Sequence, residues 1–405
     1  TNVGGHIDGD GKSRSNSYSV GGHSHGLHQP PPVSSVGGQR HHVRFSRQLA
    51  VAAGSIPSSR TNQRLKGSCQ PLLAGRPRSS GSDSSRARDS LLALSPGNGS
   101  AYGGRAYALP PQMPNMKSFF DQGRAAVIGN VGPLVEPTDR QAFENRTVQL
   151  PAKLFSHNDQ QSAWMAFAAE GAFLGWGGRF GDAALELFPN QDPRFLTVNA
   201  GRTNAFLEGN VVRQFTNNGR LGIEEFLAVE DRALIGGGKR YNEARERLGA
   251  YYRNLATSSP NLFDQDVAQI TRRAVVSVEA YMAASSTAAP LPSGPGFDFP
   301  DSPIGNELRA VAETINLRGQ LNVNRQVFFT SLSGFDTHSD SVKRLPELQS
   351  ELDEALGVFI NVLDQLGVGQ DVVTFTASDF GRTLVVNGDG SDHGWGGHQF
   401  VIGDA

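Results

Sequence analysis

The feature that most constrains this chain lies near its C-terminal end, where two short apolar runs flank one long amphipathic segment. Gln326-Val327-Phe328-Phe329-Thr330-Ser331-Leu332 reads as a buried strand that breaks at Ser333-Gly334. Leu345, Leu348, Leu352, Leu356, Phe359, Ile360, Leu363 and Leu366 then fall on one helical stripe, and Gly367 ends it. Val372-Val373-Thr374-Phe375-Thr376 reads as a second buried strand. A strand, a helix of this length and a strand make a crossover unit, so the two strands are expected to run parallel in one sheet. Ligands of open parallel sheets bind at the C-terminal ends of the strands. The loops after Leu332 and Thr376 are therefore where chemistry is expected.

The remainder is consistent with one large α/β domain. The chain has 405 residues, 38% hydrophobic and 19% charged, enough for a sizeable core. Arg124 to Gly132 reads as a short buried strand, Ser118 to Gly123 as a helix end, and the span from about 160 to 320 as mostly helical. Residues 1–88 differ: they are rich in Ser, Gly and Arg, contain no Glu and hold six of the ten histidines. They read as a disordered low-complexity arm, or as a stretch translated out of frame, and His23, His25, His28, His41 and His42 are not taken as a metal site. The domain expected is 89–405. The start at Thr1 and the strand-like end at Val401–Ala405 suggest a chain cut at both ends.

Several function classes are disfavoured. A formal net charge of -2 and a pI of about 6.5 argue against a nucleic-acid partner. No apolar run is long enough for a membrane span. Cys69 is the single cysteine, so no internal disulfide forms.

After residue 42 only His157, His338, His393 and His398 remain. None falls on an apolar helical stripe. Each stands among acids or glycines, in Phe155-Ser156-His157-Asn158-Asp159, Gly334-Phe335-Asp336-Thr337-His338 and Asp392-His393-Gly394-Trp395-Gly396-Gly397-His398. Asp379 follows the second strand, in Ser378-Asp379-Phe380-Gly381-Arg382-Thr383. Carboxylates and imidazoles together suit a divalent ion, with zinc, manganese, magnesium and calcium all open. Adjacent parallel strands would bring Asp336, His338 and Asp379 to one ion. Arg382 is a candidate to grip an oxyanion, and His157 is the second catalytic candidate. Asp159 is equally a candidate helix cap, and Gly175-Trp176-Gly177-Gly178-Arg179 is a candidate to bring Arg179 to the site, with Trp164 and Trp176 read as packing.

These motifs, in this order and together with Leu154-Phe155-Ser156-His157-Asn158-Asp159-Gln160-Gln161, resemble the bacterial family known as domain of unknown function 1501 (DUF1501), over about residues 89–405. The resemblance implies a three-layer α/β sandwich with a mostly parallel sheet, like the alkaline phosphatase/sulfatase superfold. It implies that Asp336 and His338 are one pair of metal ligands, that Asp379 flanks a second metal position, and that Asp392, His393 and His398 form a late ligand group. It also implies export to the periplasm or medium. Relatives open with a strand ending in a Gly-Gly-x-Asp-Ser-like motif. Here Gly81-Ser82-Asp83-Ser84 is only an echo of it, so no nucleophile is assigned, and Asp379 stands where many relatives carry Glu. The expected activity is metal-dependent hydrolysis of phosphate or sulfate esters of a small molecule or glycan. The alternatives are an exported, non-catalytic binding or cell-surface protein on the same fold, and a phosphomutase.

Overall fold

The anticipated crossover unit forms. The computed structural model describes residues 49–54, 86–96, 106–168, 170–219, 239–255 and 260–403. The strands are β1 (Leu49–Gly54), β2 (Leu92–Leu94), β3 (Tyr107–Leu109), β4 (Ala125–Val131), β5 (Thr197–Asn199), β6 (Phe215–Thr216), β7 (Val327–Ser331), β8 (Val372–Ala377), β9 (Gly381–Val386), β10 (Ser391–Gly394) and β11 (Gly397–Ile402). The helices of six or more residues are α1 (Pro114–Asp121), α2 (Arg140–Asn145), α3 (His157–Ala166), α4 (Trp176–Leu187), α5 (Lys239–Arg253), α6 (Leu262–Thr287), α7 (Pro303–Asn316) and α8 (Ser341–Gln365).

The fold is mixed α/β. Its main sheet has seven strands in the order β4-β11-β8-β1-β7-β5-β6, and β9-β10 and β2-β3 are small antiparallel pairs. From β8 to β6 every pairing is parallel, whereas β11 runs antiparallel to both β8 and β4. Strands β7 and β8 are thus co-directional, but they are not neighbours. Strand β1 lies between them, with Ala50 opposite Val327 on one side and Val373 on the other. Leu49-Ala50-Val51-Ala52-Ala53-Gly54, inside the stretch read as a low-complexity arm, is a central strand of the sheet. The histidines His23, His25, His28, His41 and His42, and Gly81-Ser82-Asp83-Ser84, lie outside the described residues.

Strand β7 explains why a continuous apolar run is needed here. Alternate residues point to opposite faces. Phe328 enters one buried cluster, while Val327 and Phe329 enter another with Phe206, Trp176 and Phe375. Helices α7 and α8 close the first cluster. Leu308, Val311, Ala312 and Ile315 of α7 are all fully buried, and so are Leu352, Leu356, Phe359 and Leu363 of α8, as the spacing of the α8 stripe predicted. Each Val, Leu, Ile or Phe among them contributes about 1.5–3 kcal/mol by leaving water. Strand β4 departs from expectation. Among the described residues it is a sheet-edge strand paired only with β11, and only partly buried.

Candidate metal centre

Two strand spacings separate the loops after β7 and β8, about 9.6 Å, because β1 stands between them. Direct convergence of Asp336 and Asp379 on one ion, as neighbouring strands would allow, is therefore not what the fold provides. His157 spans the gap. It is the first residue of α3, and its ring reaches both carboxylates, with Nδ1 2.8 Å from Asp379 Oδ2 and Nε2 3.3 Å from Asp336 Oδ2. Asp159 is not the cap of this helix; it is buried and accepts a hydrogen bond from Ser156 Oγ at 2.8 Å.

The hairpin β9–β10 supplies the other side. Asn387-Gly388-Asp389-Gly390 makes its turn, with Gly388 at φ 113°, a conformation that a side chain would strain. Its register sets His393 opposite Arg382. Arg382 is buried, and its Nη1 donates to Asp336 Oδ1 at 2.5 Å while Nη2 donates to the Ser391 carbonyl. His393 Nε2 lies 3.0 Å from the same Oδ1, and His338 Nε2 lies 3.1 Å from it.

All three imidazoles thus turn Nε2 toward Asp336, and all three set Nδ1 against an oxygen. His157 meets Asp379, His393 meets the Phe155 carbonyl at 2.9 Å, and His338 meets Asp392 Oδ1 at 3.6 Å. The tautomer sets each ring's role: with the proton on Nδ1, facing the oxygens at His157 and His393, Nε2 keeps a lone pair for an ion, and with a proton on Nε2 the ring donates to Asp336. Phe155 itself takes φ 78°, an uncommon conformation for a bulky residue, and so turns its carbonyl to His393. The Nε2 atoms of His338 and His393 are only 2.9 Å apart. Lone pairs that close repel unless a proton or a cation lies among them. One donor atom each from His157, Asp336 and His393 falls within 4.8 Å of the others.

Burial raises the pKa of the Asp336 carboxyl. The hydrogen bond from His393 and the positive charges of Arg382 and His338 outweigh it, so the group sits below its ordinary range and stays ionised. Burial lowers the Arg382 pKa, with Asp336 opposing.

The structure therefore brings together His157, Asp336, His338, Asp379, Arg382, Asp392 and His393, and divides them into an inner and an outer set. Asp379 and Asp392, expected as ligands, stand behind imidazoles. His157, expected as catalytic, stands with the inner donors. His398 is not brought to the cluster. Its Nδ1 accepts from the Asn130 N–H at 3.1 Å across the β4–β11 pair, and burial lowers its pKa. Arg179 is exposed, and the glycines around it pack α4 against residues 205–209.

The family described as a protein of unknown function, DUF1501, matches residues 113–405, which hold every member of this cluster. The chain belongs to the DUF1501 family. No curated protein matches this DUF1501 chain. Among solved structures, one titled as a 2-O GAG sulfatase is similar at a TM-score of 0.28 and 11% identity. The match covers 89% of this chain and 64% of that one, so this chain spans under two thirds of that protein's length. Likeness at that level carries no argument about the reaction of the DUF1501 chain.

Sequence reasoning missed a large cavity of about 940 Å³ beside the cluster. Glu307 of α7 lines it and accepts from the Ser331 N–H at 2.6 Å. Burial pushes its pKa up to about 7, with that hydrogen bond opposing. The folded chain then holds this proton more tightly than the unfolded chain does. Stability is greatest below the unfolded value of 4.5 and falls as pH rises to about 7. Glu307→Gln keeps an acceptor for Ser331 and removes the titration. Between about pH 5 and pH 8 the unchanged protein is expected to lose on the order of 2 kcal/mol relative to the variant, after allowance for partial solvent access. Urea unfolding of both proteins at the two pH values measures it.

Proposed function

We propose that this chain holds a divalent ion through His157, Asp336, His338 and His393 and hydrolyses phosphate or sulfate monoesters there. The observation that carries the reading is the convergence of three Nε2 atoms on one ionised carboxylate, with the His157 and His393 rings held through Nδ1. One carboxylate with imidazoles suits a borderline ion such as zinc or manganese. When bound, the ion supplies Lewis-acid charge to the oxyanion of an ester.

The chain's own groups do the rest. Asp379 fixes the His157 ring, the Phe155 carbonyl fixes His393, and Asp392 faces the far side of His338. Arg382 holds the Asp336 carboxylate and lines a cleft of about 210 Å³ with His157, Asp336 and Asp379. A tetrahedral oxyanion fits such a cleft, with the guanidinium adding positive charge where negative charge develops. Water adds to phosphorus or sulfur, the bond to the ester oxygen breaks, and the alcohol leaves with a proton. Asp379, on the cleft wall, is the carboxylate placed to take the water's proton. The partly parallel sheet with its site at the strand ends supports the alkaline phosphatase/sulfatase layering that the sequence suggests.

Elemental analysis of purified, unchelated full-length chain should find about one divalent ion per chain. Aryl phosphate or aryl sulfate turnover should vanish on chelation and return with zinc or manganese. A chain that purifies without an ion sinks the proposal. The pairing of Arg382 with Asp336 favours a second reading, a metal-bearing binding protein without catalysis. Ion content without turnover would select it.

A further inference from the structure

The large cavity adjoins the cleft, and the two share Gln161, Ser333, Ser378 and Asp379 as walls. Whatever is esterified to an oxyanion in the cleft extends into this space. Its volume, about 940 Å³, suits an organic group as large as a sugar or a short oligosaccharide.

Its lining has two characters. Trp176 stacks on Phe375 with ring centroids 5.7 Å apart and meets Phe206 edge-on at 4.5 Å. The Trp176 indole N–H is already bound to the Trp164 carbonyl at 2.9 Å, so the ring is held in place and offers the cavity apolar surface. The polar lining is rich in acceptors. Glu351 Oε1 and Asn204 Oδ1 are buried and have no hydrogen-bond partner among the described residues. A buried acceptor left bare costs about 1–3 kcal/mol, so a small turn of either side chain toward a hydroxyl in the cavity would be favoured. Charge narrows the ligand further, because Glu170, Glu351 and Asp379 line the cavity, joined by Glu307 above about pH 7, against Arg202 as the one cation among its described lining residues. That surface repels carboxylated or multiply sulfated rings.

An apolar aromatic shelf beside bare acceptors is what a pyranose needs. Its C–H face covers the rings and its hydroxyls donate to the carboxylate and amide oxygens. We infer that this cavity binds the sugar of the substrate, an uncharged, hydroxyl-rich ring. The ester it carries rests on the hydrolase reading, whereas the sugar site itself does not.

Ligand-observed saturation-transfer NMR on the full-length chain, with and without chelator, tests this. The probes are methyl glucoside, methyl galactoside and methyl mannoside, with methyl glucuronide as the charged ring and cyclohexanol as the apolar ring without hydroxyl arrays. At least one neutral glycoside should bind in both metal states, and glucuronide at least tenfold more weakly. Glu351→Gln, and independently Asn204→Ala, should weaken the neutral glycoside at least fivefold and leave cyclohexanol unchanged. Circular dichroism identifies which of the two variants folds. The inference is overturned if no neutral glycoside binds to chain that retains its ion. It is equally overturned if glucuronide binds as well, or if a folded variant binds the glycoside unchanged. Glycoside binding by a chain that never holds metal would sink the hydrolase reading and leave the sugar site standing.

Discussion

Asp336→Asn is expected to empty the metal centre and reduce ester turnover by about a thousandfold or more, some 4 kcal/mol of transition-state stabilisation. The reasoning starts from contacts. Oδ1 of this carboxylate meets Arg382, His338 and His393, and Oδ2 meets His157. Asparagine keeps the shape and removes the charge. Its amide either turns N–H groups toward the buried guanidinium, which has only donors to offer, or turns them toward the imidazoles. Neither arrangement restores a negative ligand among the Nε2 atoms. Ion content should fall from about one per chain to under a tenth, with the fold retained by circular dichroism. Asp379→Asn is the control that gives the prediction its edge. That side chain contacts His157 at Nδ1 and Gln161, behind the ring, so it should cost about ten- to a hundredfold in metal affinity. Equal losses of bound ion in the two variants would show that the division into inner and outer acids is mistaken; turnover does not decide it, because Asp379 is also the proposed base.

That division was not legible in the sequence, although most of its members were. Asp336, His338, Asp379, Asp392 and His393 stand out because acids and histidines recur in loops just past apolar runs. Which ring nitrogen faces inward depends on backbone atoms such as the Phe155 carbonyl, some 238 residues from His393, and no spacing rule reaches that far. His157 was read as a catalytic candidate and not as a ligand. It joins the inner donors because β1 pushes β7 and β8 apart and the gap needs a bridge. Strand β1 itself was hidden by its surroundings. Leu49-Ala50-Val51-Ala52-Ala53-Gly54 has the continuous apolar character of a doubly covered parallel strand, but small side chains inside a Ser-, Gly- and Arg-rich stretch gave it little weight. The hairpin that pairs Arg382 with His393 was also signalled, by Asn387-Gly388. By contrast α7 and α8 were plain, because their period-3.6 stripes are long enough to outweigh local ambiguity.

Gly178→Ala carries the second large effect, and it separates packing from chemistry in the motif Gly175-Trp176-Gly177-Gly178-Arg179. A methyl group at Gly178 would lie 2.0 Å from the Glu208 carbonyl carbon and 2.1 Å from its oxygen. One at Gly175 would lie 2.2 Å from the Ala205 carbonyl oxygen. These neighbours are main chain, so they cannot swing aside as a side-chain tip does. Helix α4 would have to back away from residues 205–209 and take Trp176 off Phe206 and Phe375. The expected cost is about 3 kcal/mol or more in denaturant unfolding, at the upper end for overpacking. Gly319→Ala, where a methyl group meets nothing within 4 Å, should stay within about 0.5 kcal/mol of the parent. Arg179→Ala should be equally mild in stability and in turnover, since that side chain is exposed at the start of α4. If Arg179→Ala instead abolished turnover while Gly178→Ala folded normally, the glycines would be serving the arginine, and α4 would belong to the reaction and not to the frame around it.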